Sequence, residues 1–80
     1  MGQPGKVALV TGASAGIGRA CADRLAAADW TVIGASRRGL ASDGWRGLVM
    51  NVDDDDSVAA GISGVLQEHG RLDALVAAAG

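Results

Sequence analysis

The sequence has no tyrosine and no phenylalanine, and two tryptophans are its only large aromatic residues. A core must therefore consist mainly of valine, leucine and isoleucine, each of which contributes little buried area. A single cysteine excludes an internal disulfide. No apolar run approaches the roughly 20 residues needed to cross a bilayer. With 80 residues the chain is one domain at most, and small domains bury a modest share of their surface.

The sequence also lacks a strong charge of either sign, since seven basic and nine acidic residues give a net charge of -2. Both signs are spread along the chain, so we expect neither a nucleic acid nor a membrane as a partner. The first residues, MGQPGK, show no charged segment followed by an apolar segment of the secretory kind. We therefore expect a cytoplasmic protein.

Short, nearly continuous apolar runs recur along the chain, as in strands that are covered on both faces. They lie at residues 6–10, 30–36, 47–52 and 72–80. Segments with the apolar spacing of a helix lie between the first and second runs and between the third and fourth runs. The predicted order is therefore strand, helix, strand, strand, helix, strand. This alternation predicts an α/β fold with a Rossmann-like, doubly wound parallel sheet of about four strands.

Two stretches show the apolar spacing of a helix. The first opens at Ile17, and its predicted buried face consists of Ile17, Cys21, Leu25 and Ala28. The second follows Asp54 or Asp55 as N-cap and ends at Gly70, because glycine suits the left-handed position after a helix. Its predicted buried face consists of Val58, Ile62, Val65, Leu66 and His69. We interpret the acidic run at 53–56 as helix capping rather than a metal site, since no His or Cys joins it.

The connection between the first strand and the first helix, residues 11–18, reads TGASAGIG. In a parallel sheet, ligands bind beyond the carboxyl ends of the strands, where this turn lies. Gly12 is predicted to adopt a conformation closed to other residues, Gly16 to let phosphates approach the backbone, and Gly18 to let helix and sheet pack closely. The helix start adds unpaired N–H groups and Ser14 a hydroxyl, so the turn predicts a diphosphate site. A tight turn without a ligand is the alternative.

Residues 11–18 resemble the T-G-x-x-x-G-x-G turn of the classical short-chain dehydrogenases/reductases, and the resemblance extends over essentially the whole chain. The extended branch of that family would have glycine in place of Ala15. The resemblance implies that residues 1–80 are the N-terminal dinucleotide-binding segment of an oxidoreductase that interconverts an alcohol and a carbonyl by hydride transfer. It also implies a small-molecule substrate and a homo-oligomeric complete protein. No Lys-Ser or Lys-Thr follows Gly18, which argues against a nucleoside triphosphate loop.

The residues after the second strand bear on the choice of cofactor. In a dinucleotide fold a carboxylate at this place binds the 2′-hydroxyl of NAD, whereas an arginine accommodates the 2′-phosphate of NADP. Ser36, Arg37 and Arg38 offer a hydroxyl and two cations with no acid beside them, so we expect NADP (NADPH) rather than NAD. Two solvated surface arginines are the alternative. A methyltransferase of similar topology is disfavoured, because it would need an acid where Arg37 stands.

Further positions are assigned by the resemblance alone. The family usually has an aspartate and a small apolar residue after the third strand to hold adenine, and Asn51 and Val52 stand there. After the fourth strand it has Asn-Asn-Ala-Gly beside the cofactor ribose, where this chain reads AAAG. The predicted cofactor-binding residues are Gly12, Ser14, Ala15, Gly16, Ile17, Gly18, Ser36, Arg37, Arg38, Asn51, Val52, Ala78, Ala79 and Gly80.

The catalytic serine and the Tyr-x-x-x-Lys of the family have no counterpart, since the chain contains no tyrosine. We therefore predict no catalytic residue and no hydride transfer by these 80 residues alone. A non-catalytic nucleotide-binding module, or a fragment without activity of its own, is the alternative.

Other chemically capable side chains have structural interpretations. Cys21 is interpreted as a core residue and His69 as a cation at a helix C-terminus. Asp73 is interpreted as a surface or loop-fixing residue, and Trp30 and Trp45 as packing anchors at the strand edges.

Overall fold

The computed structural model describes residues 5–13, 16–42 and 44–77. The elements in chain order are β1 (Val7–Thr11), α1 (Gly16–Ala27), β2 (Thr31–Ser36), β3 (Arg46–Val49), α2 (Asp55–His69) and β4 (Ala74–Ala77). Within the described residues the strands form one parallel sheet in the order β3-β2-β1-β4. This confirms the predicted α/β fold and its order of elements.

The two helices cover opposite faces of the sheet. Because successive strand residues point to opposite sides, each strand contributes side chains to both cores. All five residues of β1 are buried, as the continuous apolar run predicts. On the α2 face the buried core consists of Val7, Leu9, Ile33, Ala35, Met50 and Val65. On the α1 face it consists of Val10, Ala13, Ala22, Val32 and Trp45.

The buried face of α1 differs from the predicted one. Ile17 is 77% exposed, and the buried positions are Gly18 and Ala22, with Cys21 and Leu25 partly buried beside them. The face starts one residue later because the helix approaches the end of β1 so closely that only glycine fits at position 18. A Cβ added there would lie 2.2 Å from the carbonyl oxygen of Gly12. The prediction that Ile17 is a core residue was therefore wrong.

Both predicted ends of α2 are confirmed. Asp54 is the N-cap, with φ -115° and ψ 110°, and its carboxylate accepts hydrogen bonds from the backbone N–H groups of Asp56 and Ser57. Gly70 is the C-cap with φ 76°, and its N–H donates to the carbonyl of Leu66. The side chain of Leu66 is 46% exposed, which corrects its assignment to the buried face.

Two strands are shorter than the sequence predicts. After Val49 the N–H of Met50 donates to Ser36 O at 2.8 Å, and the chain then turns away from the sheet over residues 51–54. At the other edge β4 starts at Ala74 instead of residue 72, and its predicted last part, residues 78–80, lies outside the described residues. None of the helices in the part of the chain that is described is long and apolar enough to cross a membrane.

The residue before β4 explains where that strand begins. Asp73 exchanges hydrogen bonds with Val7, since its N–H donates to Val7 O and its carboxylate accepts from Val7 N at 2.7 Å. Arg71 donates to the same carboxylate from Nε at 2.8 Å and Nη2 at 2.6 Å. The hydrogen bonds from Arg71 first, and then the one from Val7, hold the pKa of Asp73 below its ordinary value. The predicted loop-fixing role of Asp73 is confirmed.

Candidate functional site

Three connections meet at the carboxyl edge of the sheet. Thr11 at the end of β1 lies opposite Ala35 in β2, and Ser36 at the end of β2 lies opposite Val49 in β3. The glycine-rich turn, the loop after β2 and the turn after β3 therefore leave the sheet side by side. In the sheet, β2 lies on one side of β1 and β4 lies on the other. The strand order therefore reverses at β1, and this edge contains the topological switch point where α/β proteins bind ligands.

The glycine-rich turn has the backbone that the sequence predicts at its two ends. Gly12 has φ 68°, in the left-handed region, and Gly18 is in contact with Gly12. Gly16 has φ 62°, and a Cβ added to it would meet nothing within 4 Å. Its backbone conformation, and not crowding by the protein, is what favours glycine there. The surface beside Gly16 is consequently open to a ligand.

Helix α1 begins at this open surface with no carboxylate in its own first turn, and its last turn contains Arg24. The first N–H groups of a helix have no partner within the helix, so together with the helix dipole they attract an anion. The side chain of Ile17, being largely exposed, lies at the same helix end. Ser14 and Ala15 lie outside the described residues.

This arrangement fits the diphosphate of a dinucleotide. The turn brings Gly12 and Gly18 into contact and leaves Gly16 open, and the helix start supplies N–H donors without a competing acid. These are the properties required for close approach of a phosphate to the main chain.

Ser36 has a structural role that the sequence did not indicate. It is only 8% exposed, and its Oγ accepts hydrogen bonds from the backbone N–H groups of Gly39 at 3.0 Å and Leu40 at 3.4 Å. The hydroxyl thereby fixes the loop that follows β2. Its hydrogen is the one group left to donate to a ligand.

Arg37 is exposed and has an acidic neighbour. Its Nη2 lies 2.9 Å from Oδ2 of Asp53, and the two side chains are 74% and 75% exposed. The statement that no acid lies beside the two arginines was therefore wrong, because the acid comes from the turn after β3. Arg38 is exposed as well. Both cations are thus available at the edge, but one of them already has a partner.

Asn51 and Val52 lie in the turn after β3. The side-chain Oδ1 of Asn51 accepts a hydrogen bond from the backbone N–H of Asp53 at 3.1 Å. The backbone N–H of Asn51 donates to Ser57 Oγ at 2.9 Å. The side-chain amide of Asn51 therefore has its NH₂ group left for a ligand. Val52 is 40% exposed.

The side chain of Val52 also borders an apolar cavity of about 200 Å³ between α2 and the strands β1 and β4. Its lining residues are Leu9, Thr11, Met50, Val52, Val58, Ile62, Leu75 and Ala77. The one hydroxyl in this lining, that of Thr11, donates to Val76 O at 3.3 Å. The described side chains of the lining carry no charge and present no free hydrogen-bond donor. The cavity therefore suits an apolar group and not a phosphate. Ala78, Ala79 and Gly80 lie outside the described residues.

Other reactive or aromatic side chains have structural surroundings. Cys21 is partly buried against the α1 core. His69 lies in the last turn of α2 beside Glu68, which also pairs with Arg46. Trp45 is buried, and its Nε1 donates to Asp23 at 2.8 Å, which confirms it as a packing anchor. Over residues 5–13, 16–42 and 44–77, no three or more His, Cys, Asp or Glu side chains form a group that could hold a metal.

Comparisons with known proteins agree with this geometry. The model of the short chain dehydrogenase family matches residues 6–80. The 3-oxoacyl-(acyl-carrier-protein) reductase FabG of Vibrio harveyi is 43% identical over 100% of this chain and 36% of its own length. The enzyme of the same name from Escherichia coli (strain K12) is 45% identical over 95% of this chain and 34% of its own. The chain spans about a third of the length of these curated relatives.

Among solved structures, the ligand-free aldohexose dehydrogenase of Thermoplasma acidophilum matches with a TM-score of 0.88 and 37% sequence identity. The match covers 94% of this chain and 29% of the other. The fold described above thus has a counterpart in a protein of known structure.

Proposed function

The chain belongs to the short chain dehydrogenase family, and we propose that it is the NADP(H)-binding portion of a short-chain oxidoreductase. One observation carries this proposal. At the carboxyl edge of the sheet, the open surface beside Gly16 coincides with the start of a helix whose first turn has no acidic residue. A diphosphate is the ligand that such a surface and such a helix end suit.

The preference for NADP(H) rests on Arg37. It directly follows β2, whose carboxyl end is where dinucleotide folds contact the adenosine ribose. The residue at this place is a cation, and its guanidinium is exposed, so it can donate hydrogen bonds to a 2′-phosphate. Arg38 adds a second exposed cation. Asn51 and Val52, from the neighbouring turn, would hold the adenine ring through the free NH₂ group and an apolar surface.

The role of this chain is then to bind and orient the cofactor. A bound nicotinamide would supply the hydride that reduces a carbonyl, or accept the hydride from an alcohol, and the two directions also need a proton donor or a proton acceptor. The 80 residues contain no tyrosine for this purpose. We assign proton transfer and substrate recognition to the part of the relatives' length that this chain does not span. The relatives' names, a 3-oxoacyl-(acyl-carrier-protein) reductase and an aldohexose dehydrogenase, both fit a carbonyl or an alcohol as the reacting group of the substrate.

Titration of the chain with NADPH and with NADH tests the proposal. We expect NADPH to bind more tightly than NADH. Arg37→Ala should weaken NADPH binding about tenfold, since a charge-assisted contact to the phosphate is lost, and should leave NADH within about twofold. Isothermal titration calorimetry provides the dissociation constants.

The matched control is Arg24→Ala, which removes the same charge in the last turn of α1, at the far end of that helix from the site. It should leave both dissociation constants within about twofold, because solvent and salt screen distant surface charges. Binding of neither cofactor to the wild-type chain contradicts the proposal as a whole. Equal losses for NADPH and NADH in Arg37→Ala contradict the assignment of NADP.

A further inference from the structure

The ion pair between Arg37 and Asp53 places a carboxylate at the position proposed for the 2′-phosphate. Arg37 follows β2 directly, and Asp53 lies four residues beyond β3, which is paired in parallel with β2. The register of the two strands brings their ends together at the same edge. The result is a contact of 2.9 Å between residues 16 positions apart in sequence.

The position of Asp53 is fixed by its own turn. Its backbone N–H donates to Asn51 Oδ1 at 3.1 Å, and the N–H of Asp54 donates to Asn51 O at 3.1 Å. The N–H of Asn51 in turn donates to Ser57 Oγ in the first turn of α2. The carboxylate of Asp53 is therefore held beside the guanidinium by a short, hydrogen-bonded segment, and its proximity to Arg37 follows from the fold.

We propose that Asp53 is a specificity-determining residue that competes with the cofactor's 2′-phosphate for Arg37, and so reduces the preference of this chain for NADPH over NADH. The inference rests on the proposed function, since it concerns the same cofactor site. A phosphate that approaches Arg37 meets a guanidinium whose Nη2 is already paired with the carboxylate of Asp53. NADH has a 2′-hydroxyl in this place and does not enter this competition.

The expected size of the effect follows from the exposure of the pair. Both side chains are about three-quarters exposed, so water and salt screen the competition and its effect on affinity is modest. We expect Asp53→Asn to lower the dissociation constant for NADPH about fivefold, and to leave that for NADH within about twofold. Asparagine keeps the shape of the side chain and the backbone N–H bond to Asn51, so the turn is preserved.

The matched control is Asp55→Asn, which removes the same charge two residues away, in the first turn of α2. It should change neither dissociation constant by more than about twofold, because Asp55 is exposed and is not the partner of Arg37. Circular dichroism of each variant shows whether the fold is retained. Should Asp53→Asn not fold, Asp53→Ser removes the same charge and is measured in its place.

A double-mutant cycle separates competition for Arg37 from simple repulsion. In the Arg37→Ala background, Asp53→Asn should no longer strengthen NADPH binding, because the cation over which the two anions compete is gone. The inference is overturned if Asp53→Asn leaves or weakens NADPH binding, if it strengthens both cofactors equally, or if its gain persists without Arg37. If the wild-type chain binds neither cofactor, the proposed function fails and the inference fails with it. Normal binding with no effect of Asp53→Asn overturns the inference alone.

Discussion

The two helices of this chain begin in opposite ways. Helix α2 starts with Asp54, whose carboxylate accepts hydrogen bonds from Asp56 N and Ser57 N, and its first turn contains two more aspartates. Helix α1 starts at Gly16, and its first turn contains no acidic residue. Both starts lie at the carboxyl edge of the sheet, since each helix follows a strand in a parallel arrangement. One positive helix end is therefore satisfied by carboxylates of its own first turn and cap, and the first turn of the other contains none.

This difference shows that a helix start by itself does not indicate a ligand. The acidic run at residues 53–56 occupies the N-terminus of α2 with carboxylates of the chain itself, which stabilises the helix and repels a second anion. The start of α1 does the reverse, because its first turn has no acidic residue and the space beside Gly16 is open. The two starts can thus be compared directly by substitutions that alter backbone freedom at one and capping at the other.

The largest effect is expected for Gly18→Ala. The added Cβ would lie 2.2 Å from Gly12 O, which is backbone and cannot rotate away. We expect the free energy of unfolding to fall by about 3 kcal/mol, and dinucleotide binding to be lost with the geometry of the turn. Urea denaturation measures the first and calorimetric titration the second.

Gly64→Ala in α2 is the matched control for that change, because a Cβ there would meet nothing within 4 Å. Alanine has the higher helix propensity, so the variant should be more stable by about 0.8 kcal/mol. If Gly18→Ala were as well tolerated as Gly64→Ala, the close contact between α1 and the end of β1 would not exist in solution.

The second effect distinguishes backbone conformation from ligand approach at Gly16. Gly16→Ala should cost about 1 kcal/mol of stability, because φ 62° is unfavourable for a residue with a Cβ. It should also raise the dissociation constants for NADPH and NADH equally, by about tenfold, because the Cβ extends into the surface proposed for the diphosphate.

Gly70→Ala is the comparison for Gly16→Ala. Gly70 has φ 76°, and a Cβ added to it would also meet nothing within 4 Å. It should have a similar cost in stability and leave both dissociation constants unchanged. Equal binding by the two variants would mean that Gly16 is required for the turn alone.

Much of this framework follows from local patterns in the sequence. The apolar runs predicted the strands, and Asp54 and Gly70 marked the ends of α2, because capping depends on residues close together in the chain. The turn at Gly12 and the packing of Gly18 followed from a motif whose spacing has a steric meaning.

The errors concern contacts between segments distant in sequence. The partner of Arg37 comes from another strand, so no local pattern indicates Asp53. Ile17 fits a helical stripe, but the face that reaches the sheet is decided by the close approach of Gly18 to the end of β1. The hydrogen bonds of the Ser36 hydroxyl to its own loop were also not predicted, and its assignment to the cofactor site stays a prediction.

A smaller effect is expected when the cap of α2 is removed. Asp54→Ala leaves two backbone N–H groups without their acceptor, and should lower the free energy of unfolding by about 1 kcal/mol. Asp55→Ala, which removes a charge from the first turn but no capping bond, should cost only about 0.3 kcal/mol. Neither should alter NADPH affinity by more than about twofold. A loss of binding in Asp54→Ala would mean that the start of α2 also contacts the ligand.

The smallest effect on cofactor binding is expected at the amino edge of the sheet, where Asp73 joins β1 to β4 far from either helix start. Its pKa is lowered below the ordinary 3.8, because the folded state provides hydrogen bonds from Arg71 and Val7 to the carboxylate. The ionised form therefore favours folding above pH 3.8, and this contribution is lost as the pH falls through the lower folded value.

In urea denaturation at a series of pH values, Asp73→Asn should flatten the decline in stability below pH 3.8, whereas Asp55→Asn should retain it. An unchanged decline in Asp73→Asn would mean that the contacts of Asp73 with Arg71 and Val7 do not link pH to folding. Because this edge is remote from Gly16 and Arg37, any fall in NADPH affinity should appear only where the chain itself unfolds.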